Sequence, residues 1–179
     1  MNLRSGILLF FILSAFSLMN SCSHYQMVEL SSFPYKTLYI NNISNQSFAP
    51  NAQILLNNQI RQRFLENGNV RLVNDPASAD SQLFVEILDY ERSPSSRASN
   101  DPGRINAMDY TVKVLVSFYD NKEETYLIED HRLISTEPVF YANTSGNELM
   151  NIKEAEYRSI PRITNDLASQ ITNLIFGNW

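Results

Sequence analysis

The side chains most often used as bases, thiol nucleophiles and metal ligands are scarce in this 179-residue chain, which has two histidines and one cysteine. His131 stands in the run Glu129-Asp130-His131-Arg132. Alternation along a strand places Glu129 on its face and Asp130 on the other, an arrangement open to a general base oriented by a carboxylate. A solvated strand position is the simpler account of the same four residues. His24 lies in a short polar stretch beside Cys22, where no preorganised site is expected. No HExxH, CxxC, GxSxG or glycine-rich phosphate loop occurs, and five glycines leave little room for a nucleotide cradle. The expectation is a protein that binds or scaffolds, not an enzyme, with neither metal nor cofactor.

The basic residues are more suggestive. Arg92, Arg97 and Arg104 bracket or occupy a stretch from Ser93 to Ala107 rich in Ser, Asn, Asp, Pro and Gly, against Glu91 and Asp101. Guanidinium forks suit phosphates and carboxylates, so a loop held between two strands could aim several at one anionic ligand. Ordinary surface charge on a solvated hairpin tip is the plainer reading of the same residues.

Cys22, the only cysteine, sits where an apolar run from Ile7 to Met19 meets polar sequence. Arg4 before the run and small residues after it read as a secretory signal over residues 1–21. The run is shorter than the roughly 20 residues that span a bilayer. Leu18-Met19-Asn20-Ser21 before Cys22 looks like a bacterial lipobox, although Met19 and Asn20 are unusual there. A lone cysteine in a secreted chain has no intramolecular partner, so it is either modified or bonded to another molecule; an ordinary cleavage site beside a stray thiol is the alternative. Lipidation would tether the protein, since each buried methylene contributes about 0.8 kcal/mol and two or more acyl chains hold firmly. Ser23, rather than Asp, after the cysteine favours the outer membrane. Arg4 is the only charged residue of the leader, so the 14 basic and 19 acidic residues of the chain leave a mature net charge of −6. That balance argues against a nucleic-acid partner. With no second cysteine, packing alone must hold the fold.

Residues 22–35 read as a lipidated N-terminus and tether, and 36–179 as a single domain. Lys36 to Ile40 is β-prone. Pro50-Asn51 opens a helix whose apolar stripe, Ala52, Leu56, Ile60 and Phe64, recurs every four residues until Asn67-Gly68 stops it. Val70 to Val73 is a short extended piece. Ser81 to Tyr90 is a strand with Leu83, Val85 and Ile87 on one side and Phe84, Leu88 and Tyr90 on the other. Tyr110 to Tyr119 alternates most clearly, and Asp120-Asn121-Lys122 turns it into Thr125 to Ser135. Ser93 to Ala107 is expected to be a long loop, functional or disordered. Asn147 to Phe176 is helical, with Pro161 predicting a kink or two helices meeting at Ser159. The fold class is α+β: a two-layer sandwich, β-α-β-β-β-α, with two amphipathic helices on one face of a four-stranded mixed sheet.

Several of these features together resemble one family. They are the leader ending at Cys22, the passage Asn41-Asn42-Ile43-Ser44-Asn45-Gln46-Ser47-Phe48-Ala49-Pro50 from first strand to helix, the run Arg71-Leu72-Val73-Asn74-Asp75-Pro76-Ala77-Ser78-Ala79-Asp80 before a long strand, and a last helix closed by Asn178-Trp179. The resemblance is to the LptE lipoproteins of lipopolysaccharide assembly, and it covers nearly all of the mature chain. Pro161 and the weak lipobox depart from it. It implies a non-enzymatic protein, lipid-anchored at the outer membrane, with its domain on the periplasmic side or inside a barrel lumen. There it would plug and help assemble the LptD-type β-barrel translocon and interact with lipopolysaccharide. The resemblance carries over no ligand residues, so Arg92, Arg97 and Arg104 stand only on their own chemistry as contacts for lipid A phosphates. An accessory lipoprotein of another envelope enzyme or secretion complex, built on a similar domain, is the alternative. The anchor has a direct test: Cys22→Ala is expected to release the mature protein into the soluble periplasmic fraction. Retention in the membrane fraction would show that something other than lipid holds it.

Overall fold

The computed structural model describes residues 33–99, 101–141 and 152–177, with Arg104 and Ile152 described by their backbone only. The signal segment, His24, Cys22 and most of the tether lie outside the described residues, as do Asn147 to Asn151 and Trp179. The elements are β1 (Thr37–Ile40), β2 (Ser44–Asn45), α1 (Ala52–Asn67), β3 (Arg71–Leu72), a 3₁₀ turn (Pro76–Ser78), β4 (Ser81–Ala98), β5 (Asp101–Asp120), β6 (Thr125–Phe140) and α2 (Ile152–Phe176).

The sheet has six strands, not four, in the order β3-β1-β4-β5-β6, with β2 also on β4. β1 runs parallel to β3 and β4, so the crossover through α1 joins parallel neighbours as expected. β4, β5 and β6 form an antiparallel meander. The two additional strands, β2 and β3, are two residues long each. A strand that short carries no periodicity and exists only because a longer neighbour offers hydrogen bonds: Gln46 N–H reaches Ile87 O and Val73 N–H reaches Leu38 O.

Ala52, Leu56, Ile60 and Phe64 of α1 are fully buried, and Gly68 ends the helix at φ 71°. That left-handed conformation suits glycine because a Cβ would crowd the following carbonyl. The stripe packs on one face of the sheet with Leu38 and Ile40 of β1, Leu83, Val85 and Ile87 of β4, and Val112, Val114, Val116 and Phe118 of β5. Ile160, Ile163, Leu167 and Ile171 of α2 complete the same core. Both helices therefore cover one face, giving the two layers read from the pattern.

Three expectations are corrected. Ser93 to Ala107 is not a loop, because β4 and β5 continue as a paired ribbon out to Ala98 and Asp101. Ala107 and Ile105 at its root meet the core, but residues 93–97 and 101–103 are exposed, so the outer ribbon needs no apolar alternation, and its turn-forming composition hid it. Pro94 fits because β4 has no strand on its other side beyond Ile87. Tyr90 does not share a face with Phe84, since a bulge between Ile87 and Asp89 turns it to the core side, where it stacks with Tyr110 at 6.3 Å. Pro161 does not split the last helix, which runs unbroken from Ile152 to Phe176. Proline removes one N–H from the helix ladder, and side chains serve the carbonyls around it. Ser159 Oγ donates to Glu156 O (3.0 Å), Thr164 Oγ1 to Ile160 O (3.0 Å), and Gln59 Nε2 of α1 to Pro161 O (3.1 Å).

One polar corner ties the start of the domain to the β5–β6 turn. Asp80 Oδ2 accepts the N–H groups of Lys36 and Thr37, each at 3.0 Å, while Asp80 N–H donates to Thr37 Oγ1 at 2.8 Å. Lys122 Nζ lies 2.8 Å from Asp80 Oδ1. The ammonium chiefly, and the two amides, hold the Asp80 carboxyl down at about 2 against burial, below the 3.8 of a free side chain. Next to it, Tyr35 OH donates to Asp120 Oδ2 at 2.7 Å. Burial, then the carboxylate, push that phenol up. Burial alone would raise the Asp120 carboxyl, but the phenol and two turn amides outweigh it and lower it. Because the Asp80 group is depressed in the fold, its contribution is fully present above pH 3.8 and is lost as pH falls toward 2. Asp80→Asn is expected to cost about 1–2 kcal/mol at neutral pH and to flatten the stability profile between those limits. Denaturant melts at stepped pH test this; an unchanged acid limb would refute the assignment.

Candidate functional site

Where β4 and β5 leave the body of the sheet, their core-facing side meets the start of α2. The bulge at Leu88 sends Tyr90 and then Arg92 to that side. Tyr90 OH donates to Glu156 Oε1 at 2.7 Å, and Arg92 Nη1 lies 3.6 Å from the same oxygen with its guanidinium 5.9 Å from the Tyr90 ring centre. Burial first, then the hydrogen bond to Glu156, push the Tyr90 phenol up. Below them Tyr110 and Tyr141 share a hydrogen bond of 2.5 Å, and Tyr110 is raised by burial and then by Tyr141. The raised Tyr90 and Tyr110 phenols stay protonated and neutral across physiological pH, and the carboxylate beside Tyr90 faces a cation. The cluster pins α2 to the root of the ribbon.

Glu156 also lines a groove of about 470 Å³ between the first turns of α1 and α2, with Ile54, Leu55, Lys153, Tyr157 and Ile160 as neighbours. Ile54 and Tyr157 are exposed, as is Phe48 in the loop before α1, so this end of the helix pair presents apolar surface to solvent. The two helices run parallel here: Gln59 reaches Pro161 and Arg63 reaches Asn165.

Of the three arginines, Arg92 stands at the root of the ribbon opposite Tyr110, and Arg97 near its tip opposite Ile105. Arg92 is engaged with Glu156. Arg97 lies at the ribbon tip, donating from Nη1 to Pro102 O at 3.0 Å. Arg104 is in β5 near that tip, and its side chain is outside the described residues. His131 is exposed on β6 opposite Val116. A register shift sets both Glu129 and Asp130 against Ser117, and Asp130 adopts φ 48°. The simple alternation that placed Glu129 beside His131 therefore does not hold at this bulge. Asp130 instead binds Ser117, its N–H donating to Ser117 Oγ at 2.9 Å. Among the described residues no cluster of three or more His, Cys, Asp or Glu could hold a metal, and no helix is long and apolar enough to cross a membrane. Sequence reasoning missed Glu156 and the groove. Tyr157 next to a charged residue on an otherwise amphipathic helix was the only trace of them.

The arrangement is one of surfaces: an exposed ribbon, an apolar groove and an open sheet face. The same fold occurs in the rare lipoprotein B of Shewanella oneidensis (14% identity, TM-score 0.52, covering 77% of this chain and 96% of that one). It occurs also in the uncharacterized lipoprotein B of Nitrosomonas europaea (14% identity, TM-score 0.51, covering 84% of this chain and 88% of that one). No curated protein sequence matches this chain. The family model described as LptE, lipopolysaccharide-assembly, matches residues 35–175, from the strand-opening corner to the end of α2. With β1 through α2 inside that match, the chain belongs to the LptE family, non-catalytic accessory lipoproteins of lipopolysaccharide assembly.

Proposed function

We propose that this protein is an outer-membrane lipoprotein, anchored through Cys22, that plugs and helps assemble an LptD-type β-barrel and assists lipopolysaccharide insertion into the outer leaflet. The family match across residues 35–175 carries the reading. The fold is compatible with it. A plug must present a polar exterior to a polar barrel lumen, and the edge strand β6, with Glu129, Asp130, His131 and Arg132 all exposed, is of that kind. A ribbon projecting beyond the core also gives a partner an extended surface without disturbing the packed layers.

Affinity purification of the tagged full chain from a detergent extract is expected to recover an outer-membrane barrel of LptD type. Recovery of no barrel protein would sink the proposal. Within this reading Arg97 and Arg104, with Arg92 at the ribbon root, are the contacts for lipid A phosphates. Arg92 also neutralises Glu156, so its loss is expected to lower stability as well. Neutralising Arg97 and Arg104 together separates the roles: binding to lipid A vesicles should weaken by about fivefold or more for two lost charge-assisted contacts, with the melting temperature unchanged. Equal affinity would leave both as plain surface charge.

A further inference from the structure

The face of the sheet turned away from both helices carries a hollow of about 280 Å³ over β4, β5 and β6. Phe84, Leu115 and Tyr126 make its apolar part, with the Phe84 and Tyr126 ring centres 6.4 Å apart. Tyr126 is 47% exposed and is backed edge-on by Tyr119 at 5.0 Å, which fixes its ring as a platform. The rim is polar: Asn42, Ser44, Glu86, Ser117 and Asp130. Asp130 is held by the reciprocal Ser117 contacts, and Glu86 accepts from the amide of Gln46. Among the described residues neither carboxylate pairs with a lysine or arginine.

The lining restricts the ligand. Two carboxylates line the hollow against one flanking cation, Arg132, which stands opposite Leu115 on this face, so an anionic group meets net repulsion. An acyl chain would cover the ring but strand the rim's hydroxyls, amide and carboxylates without water or partners. A simple ammonium ion would answer the carboxylates and leave the amide and hydroxyls unused. Carboxylates only accept, whereas an amide and hydroxyls both donate and accept. The partner must therefore present clustered donors and acceptors around a flat C–H face. We infer that this hollow is a binding site for a neutral saccharide, one sugar ring lying on Tyr126 with its hydroxyls on Glu86, Asp130 and Asn42. The site stands apart from the proposed lipid A contacts, and it does not depend on that reading, because it excludes phosphates.

The test titrates the full chain in detergent with two uncharged probes, maltotetraose and N-acetylated chitotetraose, and with glucose 6-phosphate as the anionic control. Saturable binding of at least one neutral probe is expected, and which of them binds distinguishes a hexose from an N-acetylhexosamine source. Tyr126→Ala should weaken that binding about fivefold or more, since it removes the platform. Asp130→Asn should do likewise by removing an acceptor, while retaining the wild-type melting temperature because asparagine tolerates the positive φ. No saturable binding of either neutral probe would overturn the assignment. So would equal affinity in both variants, or glucose 6-phosphate binding as tightly as the neutral sugars.

Discussion

Everything in this domain depends on burying one face of the β4–β5 pair. Leu83, Val85 and Ile87 alternate inward on one strand, Val112, Val114, Val116 and Phe118 on the other, and nearly all are shut off from solvent. Each such side chain contributes about 1.5–3 kcal/mol on burial, so this strip is a major source of the domain's stability. The helices are held to it rather than to each other alone. α1 arrives with its four-residue stripe, and α2 packs parallel beside it, remaining one helix through Pro161 with Ile160 and Ile163 buried on either side. A helix whose flanks are committed to a core tolerates a missing hydrogen bond that an isolated helix would not.

A two-layer sandwich has a consequence for function. Among the described residues the helices cover one face of the sheet, and the other face, the ribbon beyond the body and the outer edge of β6 are surfaces available for interaction. The molecule limits the hazard that exposed strands create. β6 carries the charged run from Glu129 to Arg132, a bulge at Asp130 and Pro138, and Gln170 of α2 donates to the Ile134 carbonyl at 3.2 Å. The edge is thus blunted for uncontrolled pairing, while the face keeps half-exposed rings and polar groups in register. On that face Lys113 bridges Asp89 and Glu91, which confines paired charge to the middle of the strands.

The buried polar groups divide by task. Asp80, Asp120 and Tyr35 fasten the point where the described chain begins to the β5–β6 turn, and Glu156, Tyr90 and Arg92 fasten the first turns of α2 to the root of the ribbon. Both are hydrogen-bonded corners between elements far apart in sequence, and neither contains a nucleophile set against a base. A lipoprotein of an assembly family needs rigid surfaces, and corners of this kind supply rigidity without chemistry.

What the sequence determined by itself was whatever repeats locally. The stripe of α1, its glycine stop, the alternation of β5 and the tight turn after Asp120 are written in spacings of four, two and one residue, because neighbours along the chain share one backbone period. The family was legible too, in Asn41 to Pro50 and Arg71 to Asp80. Tertiary structure alone decided the rest. β2 forms only against β4, the extended piece at Val70 to Val73 became β3 only by pairing with β1, and the outer ribbon is stabilised by cross-strand pairing that leaves no apolar signature. Tyr90 changed face through one bulged residue, carrying Arg92 to Glu156, 64 positions away in the numbering. Arg92 turned inward to a helix for the same reason, while Arg97 stayed at the tip. Side-chain direction in a strand depends on counting every residue up to it, so a single irregularity that only packing selects redirects all that follows.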